Sequence, residues 1–222
     1  DTKAFHEGIE VMIKETKKIS EKLNISIPEI NLGGGFGVYY TEKDTAIDIE
    51  KFMRSMIEHI EKSLEKENMT IEKISIEPGR SIIGNAGSTL YRVGGTKETF
   101  GGVKYVFIDG GMTDNIRPAL YQAEYEAVIA NKLDEIEDEI VTVAGKCCES
   151  GDLIIKNRKL GKAEKGDLLL VGTTGAYGYS MSSNYNKAQR PAVVFVKNGK
   201  SAISIKRESL EDLVRNDVYT EL

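Results

Sequence analysis

The chain has 222 residues, of which 40% are hydrophobic and 29% are charged, a composition typical of a globular protein with a sizeable core. Its net charge of -5 argues against a nucleic-acid-binding surface, which needs clustered Lys and Arg. No apolar stretch approaches the roughly 20 residues that a bilayer-spanning helix requires. We therefore expect a cytoplasmic protein that binds neither nucleic acid nor membrane.

The first part of the chain alternates helices with short strands. Apolar residues at helical spacing predict amphipathic helices over residues 2–23 and 46–67, and a short apolar strand follows each helix, at 27–32 and 71–76. This alternation is typical of an α/β parallel sheet, whose ligands bind beyond the carboxyl ends of the strands. Two strands cannot bury both faces of such a sheet. We therefore expect residues 1–85 to form an incomplete segment of a larger α/β domain.

The remainder of the chain is rich in short strands. The predicted strands cover residues 88–93, 103–108, 140–144, 152–156, 167–171, 192–196 and 201–205. The dipeptide Asn198-Gly199 predicts a hairpin between the last two, and a helix over residues 209–215 follows. We expect residues 86–222 to form an all-β domain, a sandwich or barrel with a closing helix.

Two glycine-containing segments directly follow the predicted strands of the first part. Gly33-Gly34-Gly35-Phe36-Gly37 follows one strand and Glu77-Pro78-Gly79-Arg80 follows the next. Consecutive glycines expose backbone N–H groups to an anion without obstruction by Cβ atoms. Each segment alone is also explained by a tight turn. Two such loops at consecutive strand ends favour a phosphate site, since (β/α)8 barrels bind phosphate at the loops after their last two strands.

A third cluster places both cysteines beside carboxylates, in Cys147-Cys148-Glu149-Ser150-Gly151-Asp152. Adjacent cysteines exclude a disulfide framework, and the two cysteines and two histidines offer no metal-ligand spacing. A thiol can donate a proton or act as a nucleophile, and a carboxylate can hold an amine. This cluster is therefore a candidate catalytic segment without a metal.

Two further segments contain candidate ligand-binding residues. Arg117 and Tyr121 are one helical turn apart, so they could hold a carboxylate together, although such a pair is more often structural. Gly175–Asn186 is rich in Gly, Ser, Asn and Tyr. It could be a flexible surface loop, but its three tyrosines need packing and hydrogen-bond partners.

Together, these clusters resemble the second half of the diaminopimelate decarboxylases, which are pyridoxal-phosphate enzymes of the alanine-racemase-like barrel class. They occur in the family's order, and the resemblance extends over the whole chain. The Cys-Glu-Ser-Gly-Asp form differs from that of ornithine decarboxylases. The resemblance implies the last strands of a (β/α)8 barrel followed by a Greek-key-like β-domain. It also implies a carboxy-lyase of lysine biosynthesis, which converts meso-2,6-diaminopimelate to L-lysine and CO₂.

The resemblance also implies residue roles. The cofactor-binding residues would be Gly34, Gly35, Glu77, Pro78, Gly79, Arg80 and Tyr177. The substrate-binding residues would be Arg80, Arg117, Tyr121, Glu149 and Tyr177. Glu77 would pair with the pyridine nitrogen of pyridoxal 5'-phosphate, Glu149 would hold the distal ammonium, and Cys148 would be the proton donor. Cys148 and Glu149 would reach into the partner subunit, which implies a homodimer with shared active sites.

The family's Schiff-base lysine and ring-stacking histidine belong to its first half. No lysine of this chain matches that motif, so we expect residues 1–222 alone to be inactive. Two alternatives remain open. The chain could belong to a related decarboxylase of a basic amino acid or carboxynorspermidine, or it could be a non-catalytic β-domain module.

Overall fold

The computed structural model describes residues 2–45, 47–136 and 138–221. The chain divides into two compact units. Unit 1 comprises the residues up to Tyr39 together with Asp44–Ile82, and unit 2 comprises Tyr40–Lys43 and the residues from Ile83 onwards. Asp1 and Leu222, the outer limits of the two predicted domains, and Ala46, the first residue of a predicted helix, lie outside the described residues. Among the described residues, no helix is long and apolar enough to span a membrane.

Unit 1 has the predicted order of helices and strands. Its elements are α1 (Thr2–Leu23), β1 (Glu29–Asn31), α2 (Ile49–Lys66) and β2 (Lys73–Ser75). The short helix α3 (Arg80–Ile83) follows at the boundary with unit 2. The strands β1 and β2 are parallel, with Ile30 opposite Ile74, which confirms the parallel pairing that the alternation predicted. The buried side chains of both helices, of β1 and of the glycine loop after it form one core, which consists of Ile9, Ile13, Ile30, Phe36, Phe52, Met56 and Ile60.

Two helix details in unit 1 follow from particular side chains. Asp48 caps α2 by accepting a hydrogen bond from the backbone N–H of Lys51 at 3.1 Å. The charged residues around each histidine in the sequence indicate a solvated helix residue, but the two histidines pack against each other. The rings of His6 and His59 stack between α1 and α2, with centroids 4.1 Å apart. His59 Nε2 also lies 3.3 Å from Glu10 Oε1.

Unit 2 is built on a six-stranded mixed sheet. Its strands are β3 (Thr89–Glu98), β4 (Lys104–Ile108), β5 (Ala127–Ile129), β6 (Glu139–Ala144), β7 (Leu153–Leu160) and β8 (Leu168–Val171). Their order in the sheet is β5-β8-β3-β4-β6-β7. The pair β4–β6 is parallel and the other pairs are antiparallel. The edge strands β5 and β7 approach each other, so the sheet nearly closes around its core. The predicted fold class is confirmed.

The rest of unit 2 consists of short elements. Helix α4 (Arg117–Tyr121) follows β4, and β9 (Val193–Lys197) pairs with β10 (Lys200–Ile205) in the predicted hairpin. Helix α5 (Leu210–Val214) begins with a capping box formed by Ser209 and Asp212. Strand β5 was not predicted, because three residues are too few to show a period. Strand β3 continues past its predicted end through a bulge between Val93 and Gly95.

Candidate functional site

In unit 1, the two glycine loops lie side by side. The backbone N–H of Glu77 donates to the carbonyl of Gly33 at 2.7 Å, which extends the β1–β2 pairing into the loops. A Cβ atom on Gly34 would lie 2.2 Å from the carbonyl oxygen of Glu77. Only glycine therefore permits this approach. Gly35 has φ of +85°, a conformation that also favours glycine.

The carboxylate of Glu77 is oriented by an asparagine. Asn31 Nδ2 donates to Glu77 Oε1 at 2.7 Å, and Asn31 Oδ1 accepts from the backbone N–H of Gly33 at 2.8 Å. One side chain thus joins both loops. Asn31 was not predicted as a site residue, although it is the last residue of β1 and lies two residues before the first glycine of the loop. Pro78 and Gly79 connect Glu77 to Arg80, the first residue of α3.

In unit 2, a buried aspartate holds in place the loop Cys147–Asp152, which we call the thiol loop. Asp152 is only 2% exposed. Its Oδ1 accepts from the backbone N–H of Met112 at 2.6 Å, and its Oδ2 accepts from that of Cys147 at 2.8 Å. Cβ atoms on Gly111 and Gly145 would lie 2.4 and 2.3 Å from Asp152 Oδ1, so both glycines are needed to admit the carboxylate. The loop therefore has one defined position.

The two thiols of this loop have different surroundings. Cys147 is half-buried and Cys148 is exposed. Burial raises the pKa of the Cys147 thiol, and the negative charge of Asp152 and a hydrogen bond with it raise this pKa further. Cys147 is therefore held as a protonated thiol near neutral pH. Glu149, next to Cys148, is also exposed.

The tyrosine-rich segment Gly175–Asn186 is a loop that several hydrogen bonds hold in one conformation. Arg190 Nε donates to Ser182 Oγ at 2.7 Å, and its Nη2 donates to the carbonyl of Tyr179 at 2.8 Å. The backbone N–H of Ser183 donates to the carbonyl of Thr113 at 2.9 Å. Tyr177 is 45% exposed, with φ of +58°. Arg190 was not identified in the sequence because its bonds depend on the folded loop.

Arg117 and Tyr121 lie at the two ends of α4, as their spacing predicted. The guanidinium of Arg117 lies 5.1 Å from the centre of the Tyr121 ring. Arg117 is 8% exposed, and its Nε donates to Tyr125 Oη at 3.1 Å. The ring of Tyr125 is buried and packs edge-on against Tyr40. Tyr125 thus fixes the plane of the guanidinium, a role that no sequence pattern indicated.

The tyrosine-rich loop and the thiol loop of unit 2 contact each other through one hydrogen bond. The hydroxyl of Tyr185, in the tyrosine-rich loop, donates to Glu149 Oε1 in the thiol loop. The two motifs, more than 30 residues apart in sequence, therefore meet at one point. A thiol, a carboxylate and a phenol at one surface suit the binding of an amine and the transfer of a proton.

The chain matches a family model described as "pyridoxal-dependent decarboxylase, C-terminal sheet domain" over residues 18–175. It therefore belongs to the pyridoxal-dependent decarboxylase family. This confirms the resemblance that the sequence motifs indicated.

Curated relatives are similar over nearly the whole chain. The diaminopimelate decarboxylase of Bacillus subtilis is 48% identical over 218 residues, which are 98% of this chain and 50% of that protein. The Staphylococcus aureus enzyme of the same name is 47% identical over 95% of this chain and 51% of that protein. The chain thus spans about half the length of the curated relatives it matches.

Solved structures agree with this assignment. The crystal structure of diaminopimelate decarboxylase from M. jannaschii in complex with L-lysine has a TM-score of 0.89 and 33% identity. The match covers 99% of this chain and 49% of that one. The Helicobacter pylori enzyme complexed with L-lysine has a TM-score of 0.82 and 30% identity, over 97% of this chain and 50% of that one.

Proposed function

We propose that this chain is the carboxy-terminal half of a diaminopimelate decarboxylase, which converts meso-2,6-diaminopimelate to L-lysine and CO₂. The observation that carries the proposal is the thiol loop: Asp152 fixes its backbone, while Cys148 and Glu149 remain exposed at its tip. Such a loop offers a proton donor and an ammonium ligand on adjacent residues. The names of the similar proteins support the same substrate.

The residues of unit 1 fit pyridoxal 5'-phosphate. Gly34 and Gly35 leave backbone N–H groups without a Cβ beside them, and Gly79 lies in the adjoining loop. These glycines, with Pro78 and Arg80, would hold the phosphate end. Glu77, oriented by Asn31, would hold the pyridine nitrogen, and Tyr177 would contact phosphate and substrate. When bound, the cofactor supplies an electron sink for loss of CO₂.

The remaining residues act on the substrate. Arg117, with its guanidinium plane fixed by Tyr125, would bind a carboxylate together with Tyr121 and Arg80. Glu149 would bind the distal ammonium. The bond between the α-carbon and its carboxylate breaks, and CO₂ leaves. Cys148 Sγ–H then gives its proton to that carbon, and the exposed thiolate recovers a proton from water.

We further propose that residues 1–85 form the carboxy-terminal segment of a (β/α)8 barrel, and that an amino-terminal half supplies the rest of this barrel. Residues 86–222 would form the β-domain that follows the barrel. The proposed enzyme is a homodimer in which Cys148 and Glu149 serve the partner's site. A cytoplasmic location remains a prediction. These proposals rest on the relatives, which are about twice as long as this chain.

A kinetic comparison of the two thiols in the full-length enzyme tests the proposed function. Cys148→Ala should lower kcat for meso-diaminopimelate by about 10²–10⁴-fold, because a positioned proton donor contributes this much, and cofactor absorbance should be retained. Cys147→Ala, the matched control, should change kcat little. Equal losses in both variants would refute the assignment of Cys148. Faster turnover of ornithine, arginine or carboxynorspermidine would favour the related decarboxylases, and no turnover of any substrate would favour a non-catalytic module.

A further inference from the structure

The hydrogen bond between Tyr185 and Glu149 joins two loops that are each fastened elsewhere. On one side, Asp152 binds the backbone of Cys147, and the backbone N–H of Asp152 donates to the carbonyl of Glu149 at 3.0 Å. Glu149 is therefore held at its backbone while its carboxylate projects from the loop. A long side chain on a fixed backbone still has several rotamers. A second contact is needed to select one of them.

Tyr185 supplies this contact from an equally fixed position. Asn184, its neighbour, donates from Nδ2 to the carbonyl of Ala188 at 3.0 Å and to Glu208 Oε2 at 2.5 Å. Glu208 Oε2 also accepts from the backbone N–H of Arg190 at 2.8 Å. Tyr185 is thus presented by a short, hydrogen-bonded turn. Its ring needs only two torsions to aim the hydroxyl, so little entropy is lost in holding Glu149.

The phenol remains a hydrogen-bond donor at neutral pH. Its hydrogen bond to Glu149 raises the pKa of Tyr185, and burial and the negative charge of Glu149 raise this pKa further. A raised pKa keeps the O–H protonated to a higher pH than is usual for a phenol. Because the phenol occupies only Oε1, the other carboxylate oxygen can accept from an ammonium.

We propose that Tyr185 is a positioning residue for Glu149, and that this pair determines recognition of the distal ammonium of the substrate. The inference rests on the proposed function and adds to it a residue that orients the ammonium ligand. Truncating the hydroxyl should let the carboxylate rotate, which weakens binding of a substrate with a distal ammonium. A substrate without that group should be unaffected.

The test is a double-mutant cycle in the full-length enzyme with two substrates. Tyr185→Phe should raise KM for meso-diaminopimelate about tenfold, because the bond that it removes is made to a charged group. For 2-aminopimelate, which lacks the distal amino group, the same variant should leave kcat/KM unchanged. In the Glu149→Ala background, Tyr185→Phe should have no further effect on either substrate. Tyr219→Phe, which alters an exposed tyrosine near the carboxyl end, is the control.

Three outcomes are distinguishable. Equal losses for both substrates would show that Tyr185 has a merely structural role and would overturn the inference. An undiminished effect of Tyr185→Phe in the Glu149→Ala background would also overturn it, because the two residues would then act independently. A wild-type enzyme that releases no CO₂ from meso-diaminopimelate would refute the proposed function itself.

Discussion

The glycine loops of unit 1 and the thiol loop of unit 2 are built in opposite ways. In unit 1, Gly34 lets one backbone segment approach another, and the groups offered to a ligand are backbone N–H groups. In unit 2, a buried side chain, Asp152, organises the loop, and the groups offered to a ligand are side chains. In both units glycines make room, for a backbone carbonyl in one and for a carboxylate in the other.

Both sites join segments that lie far apart in sequence, but they do so through different groups. The loops of unit 1 continue the backbone pairing of β1 with β2. The thiol loop is joined to Met112 by the side chain of Asp152. Its arrangement therefore depends on that one carboxylate. Substitutions at Asp152, Gly34 and the thiols test this contrast.

The largest effect is expected at Asp152. Asp152→Ala leaves the part-buried N–H groups of Met112 and Cys147 without their acceptor, and each unsatisfied group costs about 1–3 kcal/mol when water cannot reach it. We expect the free energy of unfolding of the full-length enzyme to fall by about 3 kcal/mol in urea denaturation, with loss of decarboxylation. Asp152→Asn should lower the free energy of unfolding by about 2 kcal/mol, because the NH₂ group of the new asparagine must face one of the two N–H donors.

The matched control is Asp134→Ala, at an exposed position, which should change stability by less than about 0.5 kcal/mol. If Asp152→Ala were as stable as Asp134→Ala, the thiol loop would not depend on the Asp152 side chain, and the contrast between the two units would be wrong.

A smaller, local effect is expected at Gly34. In Gly34→Ala the added Cβ would lie 2.2 Å from the carbonyl oxygen of Glu77, so the two loops must separate. We expect the affinity for pyridoxal 5'-phosphate to fall at least tenfold, as measured by titration of cofactor absorbance. Gly8→Ala is the control, because a Cβ at that exposed helical position meets nothing within 4 Å. Gly8→Ala should raise the free energy of unfolding by about 0.5–1 kcal/mol and leave the affinity for the cofactor unchanged.

The smallest effect concerns the two thiols. The thiolate is the reactive form, and the raised pKa of Cys147 keeps that thiol protonated at neutral pH. At pH 7.5, iodoacetamide should therefore modify exposed Cys148 several-fold faster than Cys147, as followed by fragmentation mass spectrometry. Modification of Cys147 should still accelerate as the pH rises above the usual range for a thiol. Equal rates throughout would show that Asp152 does not affect the neighbouring thiol.

Much of the fold could be predicted because the signals are local. Apolar periodicity located α1 and α2, and Asn198-Gly199 located the final hairpin. The three-residue strand β5 could not be found, since it is defined by its pairing with β8. The stacking of His6 on His59 was missed for the same reason, because each histidine alone resembles a solvated helix residue.

The sequence by itself determined the elements and the motifs of the candidate site, because glycine conformation, apolar period and residue chemistry act over a few neighbouring positions. Only the tertiary structure decided which side chains orient the motif residues: Asn31 for Glu77, Tyr125 for Arg117 and Tyr185 for Glu149. The physical reason is that a hydrogen bond requires its two atoms within about 3 Å. When the partners come from different elements, the packing of those elements brings them that close.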